Sequence, residues 1–228
     1  METMIARISI MLVPALLAVT LHEVAHGFVA ERRGDPTARL LGRLTLNPLR
    51  HLDPIGTLAL LFFGFGWAKP VPVNFNNLRH PRRDMIWVAL SGPLTNFSLA
   101  LLSALLLHAL AMAADFLPNG HSMAGSILKP LALMMGFSLY VNVILGIFNL
   151  LPLPPLDGGR VMAGILPPRQ AEFFSRIEPF GFLLIIILIF FTDIYSMVLA
   201  PLIQGIVMLL AGEQQYLVVQ TIDFLIGR

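Results

Sequence analysis

The chain has 228 residues, is 57% hydrophobic and only 12% charged, and its mean hydropathy is +0.80. An ordinary soluble domain carries about 25% charge, so a multi-pass membrane protein is expected. The formal net charge is only +2, and the basic residues gather in two loops without forming a face, which argues against a nucleic-acid partner.

The first apolar segment runs from about Met4 to Glu31 and reads as one long helix that crosses the bilayer. Arg7 followed by an apolar run has some signal-peptide character, but no small-residue cleavage site precedes the following motif, so the segment is expected in the mature protein. Within it, Leu21-His22-Glu23-Val24-Ala25-His26 sets two histidines four residues apart, on one face of the helix. That spacing lets both imidazoles reach one metal ion, with the glutamate beside it to handle protons. The absence of cysteine restricts any zinc ligands to His, Asp and Glu. At about 1.5 Å per residue, His22 lies roughly 20 Å beyond Ser9, near the far side of a hydrocarbon core about 30 Å thick. Gly34-Asp35-Pro36 then stops the helix.

Residues 32–84 hold nine basic side chains, which by the positive-inside rule places this loop in the cytoplasm. Thr57 to Trp67 is apolar, too short to span, and suits a re-entrant or interfacial element. Lys69-Pro-Val-Pro-Val-Asn74 follows, and its two prolines allow only an extended edge. The backbone of Val71, Val73 and Asn74 is a candidate for pairing with an extended substrate, the bland alternative being a rigid linker.

The second and third spans are expected at about 85–113 and 127–151, with Asn96 and Asn142 as helix–helix contacts. After the third come Pro152-Leu-Pro-Pro-Leu-Asp157-Gly158-Gly159-Arg160 and a second basic loop. The last apolar region, 180–211, is long for one span and short for two; one broken span or a short hairpin fits, with an interfacial tail after it. The expected fold class is all-α membrane, a multi-pass helical bundle. Residues 1–165 form its catalytic core around three helices, and 166–228 form a C-terminal membrane segment.

This topology sets Asp157 at the depth of His22 and His26, on the same side. Zinc hydrolases use three protein ligands and keep a position for water, so His22, His26 and Asp157 are the candidate ligands of one Zn2+ and Glu23 the proton carrier. Asn149, eight residues earlier, is placed to hold an extended substrate backbone, or else merely links helices. Asp-Gly is also a common turn, and Asp157 has that plainer reading. His51 and Asp53 read as a solvated loop pair, or as groups that support the metal site from behind.

These residues carry a resemblance. HEVAH in a first membrane helix, with Asn149…Leu156-Asp157-Gly158 and Ser91-Gly-Pro-Leu-Thr-Asn96, resembles the site-2 protease family of intramembrane zinc metalloproteases. Further similarity runs through Gly34–Ala38, Gly42–Pro48 and Gly66–Asn74, so it covers most of residues 15–165. It looks closest to a compact prokaryotic branch without the PDZ or nucleotide-sensing domain that many relatives carry. The resemblance implies a three-helix catalytic core, zinc on His22, His26 and Asp157, and Glu23 as catalytic carboxylate. It also implies a transmembrane protein or peptide substrate, unwound before cleavage, and a location in a prokaryotic cell membrane with the site toward the cytoplasm. A metal-ion transporter or a non-proteolytic metal-binding scaffold is the alternative, disfavoured because the ligating groups gather at one side of the bilayer.

Overall fold

A computed structural model describes residues 2–56, 67–115 and 123–226. Among these residues the chain is helical without a strand, and four helical stretches are long and apolar enough to cross a membrane. In chain order these elements are α1 (Glu2–Arg32), α2 (Thr37–Leu40), α3 (Pro81–Asp115) and α4 (Met123–Asn149). There follow α5 (Asp157–Ile165), α6 (Pro168–Ile177), α7 (Gly181–Phe190), α8 (Ala200–Ala211) and α9 (Gln215–Ile226). The long helices α1, α3 and α4 stand on the three apolar runs. The re-entrant element expected over 57–67 lies outside the described residues, Trp67 excepted.

The chain divides into two compact units. One comprises Val19–Thr95 and Gly146–Tyr195, and includes the HEVAH motif and Asp157. Its architecture begins with the way α1 ends. Gly34 takes φ +115, a value that a residue without a Cβ adopts at little cost. There its N–H donates to Glu31 O at 3.0 Å while the Asp35 N–H reaches back to Ala30 O at 2.9 Å, the paired closure of a Schellman motif. The turn buries Asp35 completely. Its carboxylate accepts from Thr37 N–H at 3.1 Å, the Thr37 hydroxyl, Asn74 N–H at 2.7 Å and the Asn77 amide at 2.9 Å. One buried anion thus ties the end of α1 to residues 74–77, forty positions away in sequence.

The extended segment 68–74 is held along its length. An isolated antiparallel bridge pairs Leu52 with Ala68, and Lys69 N–H donates to His51 O at 2.8 Å. Arg43 reaches the carbonyls of Lys69 and Pro70 at 3.0 and 3.3 Å. Beneath it Ala30, Leu78 and Val88 form a small core with Val29, Val73 and Phe75 packed on it. At the start of α3, Asp84 accepts from His80 N–H at 2.9 Å and pairs with Arg33 at 3.1 Å, an acidic group at the end of the helix that favours it.

The other unit comprises Met1–Ala18, Asn96–Leu145 and Ser196–Arg228. A buried polar ladder joins three helices in it. Asn96 donates to Asn142 Oδ1 at 2.9 Å and lies 3.4 Å from Ala18 O; Asn142 donates to Ser138 O at 2.9 Å; and Ser103 and Ser138 hydroxyls meet at 2.8 Å. In an apolar surrounding such groups must satisfy one another, which links α1, α3 and α4. Toward the C-terminus the helical path is interrupted at 191–194, around Asp193, and again at Gly212 with φ +52. The tail expected at the interface is α9, with Val218 and Thr221 buried. A Cβ on Gly136 of α4 would lie 2.8 Å from Thr221 Oγ1, so this glycine permits the close approach of the two helices.

Replacing Asp35 by Ala leaves several buried donors without an acceptor, at a cost of about 1–3 kcal/mol for such a group. A lowered thermal midpoint in detergent, with the metal still bound, is the expected result. Asp35 also gives a pH dependence. Burial opposes its charge, but the hydrogen bonds from Thr37, Asn77 and Asn74 outweigh this and hold the carboxyl below its ordinary 3.8. A lowered folded value means stability that is complete above the ordinary value and is lost as pH falls through the folded one. The stability gap between the wild-type protein and Asp35→Asn should therefore be flat near neutrality and shrink on acidification below about pH 4.

Candidate metal centre

Helix α1 brings His22 and His26 together one turn apart, ring centroids 4.6 Å from each other and planes nearly perpendicular. Their Nε2 atoms are 3.0 Å apart. Asp157 enters as the first residue of α5, with Leu156 at the N-cap in extended conformation. Its Oδ2 lies 3.2 Å from each Nε2. All three side chains are buried, and these are the residues that could hold a metal ion among those described.

The protonation of this triangle is constrained from behind. His26 Nδ1 lies 2.8 Å from the carbonyl of Val88 on α3. Since a carbonyl only accepts, Nδ1 carries the proton and Nε2 of the neutral ring is left as a lone pair. That lone pair faces a second imidazole nitrogen and a carboxylate oxygen, and Asp157 Oδ2 is buried without a well-formed hydrogen bond. Burial works against the charge of Asp157, yet the two imidazoles beside it hold its carboxyl below the usual carboxylate range. Three electron-rich atoms at 3.0–3.2 Å call for a cation between them. Tetrahedral zinc with bonds of about 2.0–2.1 Å sets its ligands roughly 3.3 Å apart, which fits this donor set.

The surrounding glycines make the approach feasible. A Cβ on Gly92 of α3 would sit 2.5 Å from His22 Cε1 and 2.6 Å from His26 Nε2. The Ser91-Gly92-Pro93 sequence thus opens the space in front of the imidazoles, while Ser91 donates to Val88 O at 2.6 Å beside the His26 contact. Gly158 packs on the carbonyls of Leu150 and Leu151, and a Cβ on Gly159 would lie 2.6 Å from Pro154 N. Asp157 is therefore aimed by two following residues that have no side chain to hold the backbone off. Gly164 likewise lets α5 lie against α3, with Arg82 donating to Leu166 O.

A cavity of about 130 Å3 opens on the three ligand-type residues, lined also by Glu23, Pro70, Val71, Val73, Asn149, Leu156 and Arg160. Glu23 Oε2 accepts from Val71 N–H at 2.7 Å. Thus the structure brings Asn149, Val71 and Val73 to the site, but the N–H of Val71 is already engaged by Glu23. Asn74 does not line this cavity. Its N–H serves Asp35, and its side chain accepts from Asn76 N–H at 3.1 Å. His51 and Asp53 do not line it either: His51 Nε2 lies 2.8 Å from Thr45 O, and Asp53 accepts from Gly56 N–H at 2.8 Å. Arg160, read from sequence only as a topology marker, proves to be a wall of the site. The signal was available, because Arg160 is three residues beyond Asp157 on a helix and so shares its face.

A side chain at position 92 should cost the metal. Gly92→Val is expected to bring zinc content in the purified protein well below one per chain, and full zinc in a folded variant would contradict the packing described.

Comparison with known proteins agrees with this geometry. The model of peptidase family M50 matches residues 112–191, a range that holds Asp157 but not the HEVAH motif. YwhC of Bacillus subtilis (strain 168), which bears the name of a zinc metalloprotease, is 38% identical over 86% of this chain and 86% of its own length. Rip2 of Mycolicibacterium smegmatis, also under a zinc metalloprotease name, is 29% identical over 76% of this chain and 64% of its own. The zinc metalloprotease MJ0392 of Methanocaldococcus jannaschii is 24% identical over 71% of this chain and 35% of its own. No solved structure matches the chain. The chain belongs to peptidase family M50, the site-2 protease family, and is an integral membrane zinc metalloprotease.

Proposed function

We propose that this protein is an intramembrane endopeptidase that hydrolyses peptide bonds within or near the transmembrane segment of other membrane proteins, from a site on the cytoplasmic side. The observation that carries the reading is the convergence of His22 Nε2, His26 Nε2 and Asp157 Oδ2 at 3.0–3.2 Å beside Glu23. These three residues are the zinc ligands, and Glu23 is the catalytic carboxylate. Zinc held there supplies a Lewis acid that polarises the scissile carbonyl and eases deprotonation of water.

The chain's own groups do the rest. Glu23 removes the proton from the attacking water and returns it to the leaving nitrogen. For this its carboxylate either releases the Val71 N–H or works through Oε1 while Oε2 keeps that bond, which also fixes the side chain in place. Asn149, on the cavity wall, hydrogen-bonds the substrate main chain, and Val71 and Val73 flank an extended peptide. The cytoplasmic placement rests on the basic loops that bracket the site, at 32–84 and 160–176.

Glu23→Gln should retain about one zinc per chain and lose cleavage of membrane-segment peptides by two orders of magnitude or more. Unaltered cleavage would contradict the catalytic role. Asp157→Ala should lose zinc and activity together, since two imidazoles alone hold the ion far more weakly; full zinc in that variant would remove Asp157 from the ligand set.

A further inference from the structure

A second cavity of about 180 Å3 adjoins the catalytic one and shares Pro155 and Arg160 with it. Its other walls include Phe75, Met85, Ala163 and Phe174, with the exposed Glu178 as the second charged member. Phe75 comes from the extended segment that flanks the metal site, Met85 from the first turns of α3, and Ala163 from α5. Phe174 comes from α6, which packs on α5. The cavity is therefore built by the same elements that position Asp157 and Val73. Arg160 is the partition: its guanidinium lies 5.6 Å from the centre of the Phe75 ring, and among the described residues no ion pair to a carboxylate is recorded for it.

From this continuity we propose that the second cavity is a substrate subsite that takes one large apolar side chain next to the cleaved bond. The inference rests on the proteolytic reading above and adds a selectivity to it. Its dimensions suit the role, since an apolar cavity of about 150 Å3 accepts benzene, and about 180 Å3 accommodates the side chain of Leu, Met or Phe. Walls of Phe, Met, Ala and Pro reward burial of such a side chain, whereas Ala or Ser would leave the space underfilled. An extended peptide running past Val71 and Val73 presents alternate side chains to one side, so one residue faces the cavity while its neighbours do not. The flat guanidinium of Arg160 lies between that side chain and the reacting carbonyl and offers its N–H groups to the main chain there.

The test uses the purified full chain in detergent with zinc bound. The probe is a mixture of synthetic apolar peptides randomised over a central stretch, with product ends sequenced by mass spectrometry. Wild-type protein should enrich Leu, Met or Phe at one fixed distance from the new terminus. Ala163→Phe fills the cavity and should shift that position toward Ala and Ser by about tenfold or more, with cleavage and zinc retained. Phe174→Ala enlarges it and should admit Trp, which settles the matter if Ala163→Phe does not fold. Cleavage by the variants with the wild-type side-chain preference unchanged overturns the subsite alone. A zinc-loaded wild-type protein that cuts no peptide in the mixture overturns the proteolytic reading and the subsite with it.

Discussion

The structure of the catalytic unit depends on one electrostatic constraint: three electron-rich atoms, two imidazole nitrogens and a carboxylate oxygen, converge to within 3.2 Å inside protein. Nothing in an apolar interior tolerates that arrangement unless a cation sits among the three atoms. Much of the surrounding chain acts to enforce it. The Val88 carbonyl fixes the tautomer of His26, as the partners behind metal-bound histidines commonly do. Gly92 leaves room in front of the rings, and Gly158 with Gly159 brings the backbone of α5 close enough to aim Asp157.

The same unit couples substrate-facing backbone to the chemistry. The segment 68–74 is pinned at Leu52, His51, Arg43 and Asp35, and between those points its Val71 N–H holds the carboxylate that moves protons. A fully buried Asp35 at the end of α1 sets where this segment runs. The helix stop at Gly34 and the placement of Glu23's partner are thus parts of one arrangement, which explains why a loop so rich in charge is also so fully hydrogen-bonded.

Much of this was legible in the sequence. The charge-free runs announced α1, α3 and α4, and the i, i+4 histidines announced two ligands on one helical face. Asp157 was legible because a proline-rich break after a span is an unusual place for a carboxylate. Asn96 and Asn142 were legible as helix contacts for the same reason, each being a polar residue in an apolar run. What escaped were the pairings of groups distant in sequence. Glu23 and the Val71 N–H are 48 residues apart, and no periodicity links them. Asp35 read as a helix-stop residue because its partners at 74 and 77 lie beyond a loop. Gly92 read as a kink because what faces it belongs to another helix. Arg160 was taken for a topology marker, since the positive-inside rule accounts for an arginine there without reference to Asp157.

Zinc K-edge X-ray absorption on the purified, zinc-loaded protein tests the central claim most directly. The account predicts a low-coordinate nitrogen and oxygen shell at about 2.0–2.1 Å, with outer-shell scattering from two imidazoles. One of these should disappear in His26→Ala. Scattering from three imidazoles, which would bring His51 or another histidine to the ion, or from a single one, would contradict it.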